Sequence, residues 1–205
     1  MDGVLTDSEP LINASAMQMF REKGIEAKPE DFLPFVGTGE DRYIGGVAAK
    51  YHLAVDLAVA KHRTYEIYLE LVPQQLRAFP GAVELVRSCR SSGFRIALAS
   101  SADWIKVAAN LRKIGLPPEG WDAIVTGEDV RARKPAPDIF LAASRKLDVI
   151  PGACVVLEDA VNGIQAAKAA GMRCIAVAQT FSSVQLGLAD LVKGRIGDVT
   201  LPDLQ

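Results

Sequence analysis

Three short stretches in the second half of this 205-residue chain carry side chains suited to phosphate chemistry, and an acidic cluster that includes Asp2 opens it. Ser100 and Ser101 follow the apolar run FRIALA. A hydroxyl and the main-chain N–H groups of such a turn can bind phosphate oxygens. Lys134 precedes a Pro-Ala-Pro turn, whose restricted backbone would direct its ammonium group. These residue types predict a site for an anionic ligand.

Glu158 and Asp159 stand together directly after the apolar residues VVL. Two adjacent carboxylates at a buried strand end repel each other and lose hydration, and a hard divalent cation relieves both costs. The pair therefore predicts a Mg²⁺ site. Each single feature also has an ordinary explanation, since a serine pair can cap a helix and acidic residues favour a helix N-terminus. Their occurrence at successive strand ends is what favours a catalytic function.

Apolar runs and amphipathic segments alternate from about residue 94 onward. Five runs are predicted to be strands: FRIALAS, DAIVT, ACVVLE, RCIAVA and ADLVK. Three segments between them are predicted to be helices: 104–114, 137–146 and 161–170. Short strands that are apolar throughout are typical of parallel sheets covered by helices on both faces. The predicted fold class is α/β, a Rossmann-like doubly wound parallel sheet with its chemistry at the carboxyl ends of the strands.

The segment from residue 10 to residue 76 contains no comparable strand run. Its pattern predicts three helices, at 11–23, 41–51 and 58–71. Gly and Pro in PFVGTGED and FPGA interrupt the pattern. We therefore predict a core domain of residues 1–9 and 77–205 and a small helical cap of residues 10–76. The cap loop with Thr38 and Gly39 is expected to face the strand ends and to contact substrate.

Composition excludes several classes of function. The chain has 23 basic and 25 acidic residues and a net charge of −2, so it lacks the basic field that binds nucleic acid or an anionic membrane. No apolar run approaches the roughly 18 residues that a membrane helix needs. Cys89, Cys154 and Cys174 lack metal-ligand spacing, and we predict reduced thiols in a soluble protein of a reducing compartment. Any anionic ligand must therefore be bound locally, by a few groups.

Four motifs jointly resemble the haloacid dehalogenase superfamily, specifically its β-phosphoglucomutase-like branch with a helical cap. The motifs are DGVLTDSE, ALASSAD, KPAPDIF and VVLEDAVNGIQAAKAAGM. The resemblance spans nearly the whole chain. It implies a Mg²⁺-dependent phosphatase that acts on a small phosphorylated metabolite through an aspartyl phosphate.

The resemblance also assigns roles to the candidate residues. It implies that Ser100 and the backbone around Ser101 hold the phosphoryl oxygens and that Lys134 balances the charge there. Glu158 and Asp159 would bind Mg²⁺, together with the main-chain carbonyl of Asp2.

The first family motif reads Asp-x-Asp-Gly-Val, and Asp2 matches its second Asp, the general acid/base. The nucleophilic Asp would then precede Met1, on a strand that the family places in the middle of the sheet. A missing central strand leaves backbone groups unpaired. We therefore expect a truncated or incomplete version of a longer chain, with natural loss of the nucleophile as the alternative.

The cap departs from the branch pattern. Sugar-phosphate mutases of this branch typically place an Arg after the Gly37 turn to bind a second phosphate, whereas Glu40 and Asp41 occupy that neighbourhood here. This departure disfavours mutase activity. Arg63 on a cap helix is a candidate substitute cation, or an exposed charge on the helix surface.

Two functional classes remain open. One is the phosphatase, and the other is a non-catalytic regulatory or interaction module. The stretches DFLPFVGTGED and KPAPDIFLAAS also resemble one domain of a multidomain chloroplast protein. That resemblance implies further domains of the same polypeptide as partners and the chloroplast stroma as location, with the cytoplasm as the alternative.

Overall fold

The computed structural model describes all of residues 1–205, which form seven α-helices and five short strands. The helices are α1 Glu9–Glu22, α2 Glu40–Lys50, α3 Leu57–Gln75, α4 Ala82–Ser91, α5 Trp104–Lys113, α6 Asp138–Leu147 and α7 Val161–Ala169. The strands are β1 Ala97–Ala99, β2 Ala123–Val125, β3 Val155–Glu158, β4 Arg173–Val177 and β5 Leu191–Lys193. None of the helices combines the length and the apolar character that crossing a membrane requires.

All strand pairs are parallel, and helices connect consecutive strands from β1 to β4. β1 pairs with β2, and β3, β4 and β5 pair in that order. Helix α5 lies between β1 and β2 in the chain, α6 between β2 and β3, and α7 between β3 and β4. The predicted α/β fold class is confirmed.

An apolar slot of about 470 Å³ separates the two parallel sheets. Its walls include residues 97–99 of β1 and residues 155–157 of β3, and 24 of its 27 lining residues are hydrophobic. Since β1 and β3 each pair on one side, both strands present an unpaired edge toward this slot. The slot has the position and character that another strand would need. The strand expected before Met1 stays a prediction.

The helices α1, α2 and α3 enclose a hydrophobic cluster of their own. It centres on fully buried side chains such as Phe20, Phe32 and Tyr68 and is distinct from the two clusters around the sheets. Helix α3 begins after Asp56, whose carboxylate accepts hydrogen bonds from the N–H groups of Ala58 and Val59. The helical segment can therefore pack as one unit, although the boundaries of cap and core stay a prediction.

Polar contacts hold the helical segment against the strand ends. Tyr68 of α3 donates a hydrogen bond of 2.8 Å to Asn110 of α5. Asn162 of α7 donates one of 3.3 Å to the carbonyl of Gly37, in the loop before α2. These contacts place that loop over the loops that follow β1 and β3.

Candidate active site

A cavity of about 90 Å³ lies where β1 and β3 end, under the loop that precedes α2. The structure brings most of the predicted site residues to its wall: Asp2, Gly39, Ser100, Ser101, Lys134, Glu158 and Asp159. These residues come from five separate stretches of the chain. Parallel strands that end at one edge of a sheet account for their meeting.

Asp2 is held by donors that converge on one of its carboxylate oxygens. Ser8 and Asn110 donate hydrogen bonds to Oδ1, and Lys106 Nζ lies 3.4 Å from the same atom. Burial raises the pKa of Asp2, but nearby charge, first that of Lys106, outweighs it and holds the pKa below its ordinary value. Asp2 is therefore a fixed, ionised carboxylate at neutral pH.

Lys106 is a site residue that the sequence motifs do not indicate. It lies on α5, its side chain is only 5% exposed, and its ammonium contacts Asp2 and, at 3.2 Å, Glu40. It also lies over the ring of Tyr68, 5.5 Å from the ring centre. The sequence did contain a sign that Lys106 matters. Asp103, Lys106 and Asn110 are three and four residues apart, so they lie on one face of a helix and form a polar stripe.

Lys134, Glu158 and Asp159 form the charged group at the end of β3. The Lys134 ammonium pairs with Glu158 Oε1, and both side chains are buried. Burial is the larger cause, and the negative charge of the adjacent Glu158 the smaller one, that together raise the pKa of Asp159 to about 7. Burial also raises the pKa of Glu158, but the Lys134 ammonium outweighs it and holds that pKa below its ordinary value. One ammonium thus faces two buried carboxylates.

The oxygen donors at this point fit a hard cation such as Mg²⁺. A Cβ on Gly3 would overlap the Asp159 carboxylate, so the backbone next to Asp2 lies directly against it. No three His, Cys, Asp or Glu side chains are grouped closely enough to hold a metal by themselves. A cation here would therefore need main-chain or substrate oxygens as well. The predicted use of the Asp2 carbonyl stays a prediction.

Ser100 follows β1 directly and is buried. Its Oγ accepts a hydrogen bond of 3.2 Å from the N–H of Ala102, which leaves its own proton to donate to a phosphate oxygen. The carbonyl of Ser101 accepts a bond of 3.0 Å from Arg133, which fixes the turn. This loop therefore leads into α5 and also forms part of the cavity wall.

Comparison with known proteins decides the family. Residues 1–171 match the haloacid dehalogenase-like hydrolases. The chain belongs to this family. The predicted resemblance to the haloacid dehalogenase superfamily is confirmed.

Two relatives of the chain are informative. It is 47% identical over 209 residues to the chloroplastic protein SUPPRESSOR OF QUENCHING 1 of Arabidopsis thaliana, covering all of this chain and 20% of that protein, so the chain spans about a fifth of that relative. It is 29% identical over 218 residues to hexitol phosphatase B of Escherichia coli, covering 100% of this chain and 93% of the relative. The predicted likeness to a chloroplast protein is confirmed.

Solved structures share the fold of this chain. CbbY from Rhodobacter sphaeroides, solved in complex with phosphate, superposes with a TM-score of 0.88 at 29% identity, over 100% of this chain and 96% of that one. β-Phosphoglucomutase from Clostridium difficile gives a TM-score of 0.86 at 22% identity, over 98% of this chain and 91% of that one, which shows the fold alone.

Two predicted substrate contacts, Thr38 and Arg63, lie outside the cavity wall. Thr38 donates its hydroxyl to the carbonyl of Phe35 at 2.7 Å. Arg63 forms ion pairs with Glu22 at 2.9 Å and Glu66 at 2.8 Å on the surface of the helical segment. For Arg63 this geometry favours the alternative of an exposed helix-surface charge.

Gly163 lets α7 pack against the end of β3, because a Cβ there would overlap the Glu158 carboxylate. We expect Gly163→Ala to lower the free energy of unfolding by about 1–3 kcal/mol, since the buried side chain has no room to move. Gly152→Ala is the control, because nothing lies within 4 Å of its added Cβ, and it should change stability by less than about 0.5 kcal/mol. Urea titrations of the two variants measure the difference, and equal stabilities would contradict this packing.

Proposed function

We propose that this hydrolase is a Mg²⁺-dependent phosphatase that acts on a small phosphorylated metabolite. The observation that carries the proposal is the single cavity in which Asp2, Ser100, Lys134 and the Glu158–Asp159 pair meet. Phosphatases among its relatives, such as hexitol phosphatase B, support the same reaction class. We propose residues 10–76 as the cap that closes over the phosphate and residues 1–9 and 77–205 as the core.

Asp2 is proposed to be the general acid/base. Because Ser8, Asn110 and Lys106 hold Oδ1, its carboxylate is fixed in one orientation within the cavity. Because Asp2 is ionised in the free site, it would first take up the proton of a monoanionic phosphate ester and pass it to the oxygen of the leaving alcohol. It would then accept a proton from the attacking water. Ser100 would donate to a phosphoryl oxygen.

Lys134 is proposed to balance the negative charge of the phosphoryl group. Its ammonium is fixed by the pair with Glu158 and by the Phe140 ring, whose centre lies 4.8 Å away. A preorganised cation of this kind stabilises developing charge without reorganisation during the reaction. Bound Mg²⁺ would neutralise phosphate charge and orient the phosphoryl group.

The nucleophile is proposed to be an Asp on a strand that fills the apolar slot. Met1 lines both the slot and the site cavity, so a strand between β1 and β3 would deliver its last residue to the site. That carboxylate would attack phosphorus and form an aspartyl phosphate, which divides one displacement into two easier steps. The proposal rests on the geometry of the slot and on the Asp-x-Asp pattern.

The metal site can be tested on a chain extended before Met1 by an apolar strand that ends in Asp, called here the extended chain. We expect it to bind Mg²⁺, and we expect Asp159→Asn to weaken that binding by about 100-fold or more, because a direct ligand contributes at least as much as an outer-shell partner. Asp148→Asn is the control, since Asp148 is exposed. Calorimetric titration with MgCl₂ is the measurement, and an unchanged affinity of the Asp159 variant would refute the assignment.

A non-catalytic module is the second candidate. The observation that favours it is the relative SUPPRESSOR OF QUENCHING 1, of which this chain spans 20%. As one part of a longer polypeptide, the domain would bind other domains of the same chain in the chloroplast stroma. An extended chain that binds Mg²⁺ yet hydrolyses none of a panel of phosphate monoesters would favour this candidate.

A further inference from the structure

Gln179 joins the turn that carries Asp2 to the last part of the chain. It lies two residues after the end of β4, and its Nε2 donates a hydrogen bond of 2.8 Å to the carbonyl of Gly3 and a longer one of 3.4 Å to that of Val4. Its Oε1 accepts a hydrogen bond of 2.7 Å from the N–H of Ile196. Since that N–H can only donate and the Gly3 carbonyl can only accept, the amide has a single satisfied orientation. Gln179 is therefore a fixed tether between two distant parts of the chain.

Only Gln179 donates hydrogen bonds to the carbonyls of Gly3 and Val4. Three N–H groups of the same turn converge on the Met1 carbonyl instead. Val4 is buried, and a buried carbonyl without a donor is costly. Loss of the Gln179 amide would therefore favour movement of this part of the turn toward another donor.

The peptide that Gln179 holds lies against the predicted metal ligands. A Cβ on Gly3 would overlap the Asp159 carboxylate and crowd the Thr180 hydroxyl, so no space separates this peptide from them. Gly3 also follows Asp2 directly, and because a peptide bond is planar, the position of the Gly3 backbone sets that of the Asp2 carbonyl. A shift of the turn would change the separation between the Asp2 carbonyl and the Asp159 carboxylate.

We propose that Gln179 is a positioning residue whose amide holds the Asp2–Gly3 peptide against Asp159 and thereby sets the affinity of the divalent-cation site. This inference rests on the proposed Mg²⁺-dependent function and goes beyond it, because Gln179 does not line the cavity and belongs to none of the four sequence motifs. Mg²⁺ tolerates little departure from ideal ligand distances. Groups that orient metal ligands without touching the metal commonly contribute about 10- to 100-fold in affinity.

The experiment measures Mn²⁺ binding to the 205-residue chain, with MnCl₂ alone as the probe and the electron paramagnetic resonance signal of free Mn²⁺ as the readout. Gln179→Met retains nearly the length of the side chain but has no donor at its end. We expect this substitution to weaken Mn²⁺ binding by about 10-fold or more, because the Asp2 carbonyl would no longer be held in one place.

Two controls separate positioning from a general effect on the fold. Gln185→Met makes the same substitution in the following loop, where the Gln185 oxygen accepts bonds of 3.1 Å and 2.8 Å from the N–H and the hydroxyl of Ser182, away from the cavity wall. Val72→Ala lowers stability by removing contacts in the buried cluster of the helical segment. Both variants should bind Mn²⁺ within about 2-fold of the unsubstituted chain, since distant sites act independently.

Amide hydrogen exchange tests the tether without any substitution. By linkage, a tether whose loss costs about 10-fold in metal affinity is itself stabilised about 10-fold when the metal is bound. Increasing MgCl₂ should therefore slow exchange of the Ile196 N–H, which Gln179 accepts, and the effect should level off at about 10-fold. Stabilisation of the whole chain would instead keep rising with MgCl₂ concentration. The Ser182 N–H, which Gln185 accepts, is the control and should exchange at an unchanged rate.

The outcomes separate this inference from the function on which it rests. If the unsubstituted chain binds no Mn²⁺, the proposed metal site fails, and the role of Gln179 fails with it. If the chain binds Mn²⁺ and Gln179→Met binds it as tightly, the role of Gln179 alone is refuted. The same conclusion follows if Mg²⁺ leaves exchange of the Ile196 N–H unchanged or slows it without levelling off. The exchange measurement uses the unsubstituted chain, so it decides the question even where Gln179→Met fails to fold.

Discussion

The 205-residue chain is expected to hydrolyse an aryl phosphate no faster than background, and the extended chain should exceed it by about 10⁴-fold or more. Loss of a covalent nucleophile removes rate enhancements of that order in other enzymes. The strand would fill the apolar slot of about 470 Å³ and place its terminal Asp at the cavity that Met1 lines. Release of p-nitrophenol with and without Mg²⁺ is the measurement.

An extension of the same sequence that ends in Asn separates the nucleophile from the added strand. This control should gain stability from the filled slot, because apolar surface leaves water, and should gain no activity. Mg²⁺-dependent turnover by the unextended chain that Asp2→Asn abolishes would show that Asp2 is the nucleophile and that the roles proposed here are wrong.

The α/β core could be predicted from sequence because its strands are buried on both faces and therefore read as short apolar runs. The run VVLE became β3, and the segment predicted at 104–114 became α5, Trp104–Lys113. Helix α4 was not predicted. Its buried face rests on only three side chains, Ala82, Val86 and Cys89, and Gly81, the residue before it, has no side chain that could cap its start.

The site could be predicted only in part, because some of its residues follow predicted strands in the sequence and others lie on helices. Ser100 and Asp159 come at the ends of the apolar runs FRIALAS and ACVVLE, and Lys134 lies in the loop after the run DAIVT, so position along the chain places all three near strand ends. Lys106 and Glu40 lie in helices α5 and α2, and their side chains meet only after these helices come together in the folded chain. That pairing depends on tertiary geometry, which a pattern along one helix does not contain.

Lys106→Met should lower the free energy of unfolding by about 3–5 kcal/mol, because removal of the cation from a buried ion pair leaves its partners uncompensated. The Lys106 side chain is 5% exposed, and it lies within 3.4 Å of both Asp2 and Glu40. Lys168→Met is the control. Its pair with Asp190 is exposed at the surface, so its loss should cost less than about 1 kcal/mol.

A second substitution distinguishes charge from packing as the cause. Met retains most of the apolar contact of the lysine stem with the Tyr68 ring, so lost packing would contribute little. Adding Glu40→Gln to Lys106→Met removes one of the uncompensated carboxylates, and the double variant should recover part of the lost stability in urea titrations. A double variant less stable than Lys106→Met would mean that Lys106 does not compensate the buried carboxylates. That result would refute its assignment as the cation that fixes Asp2.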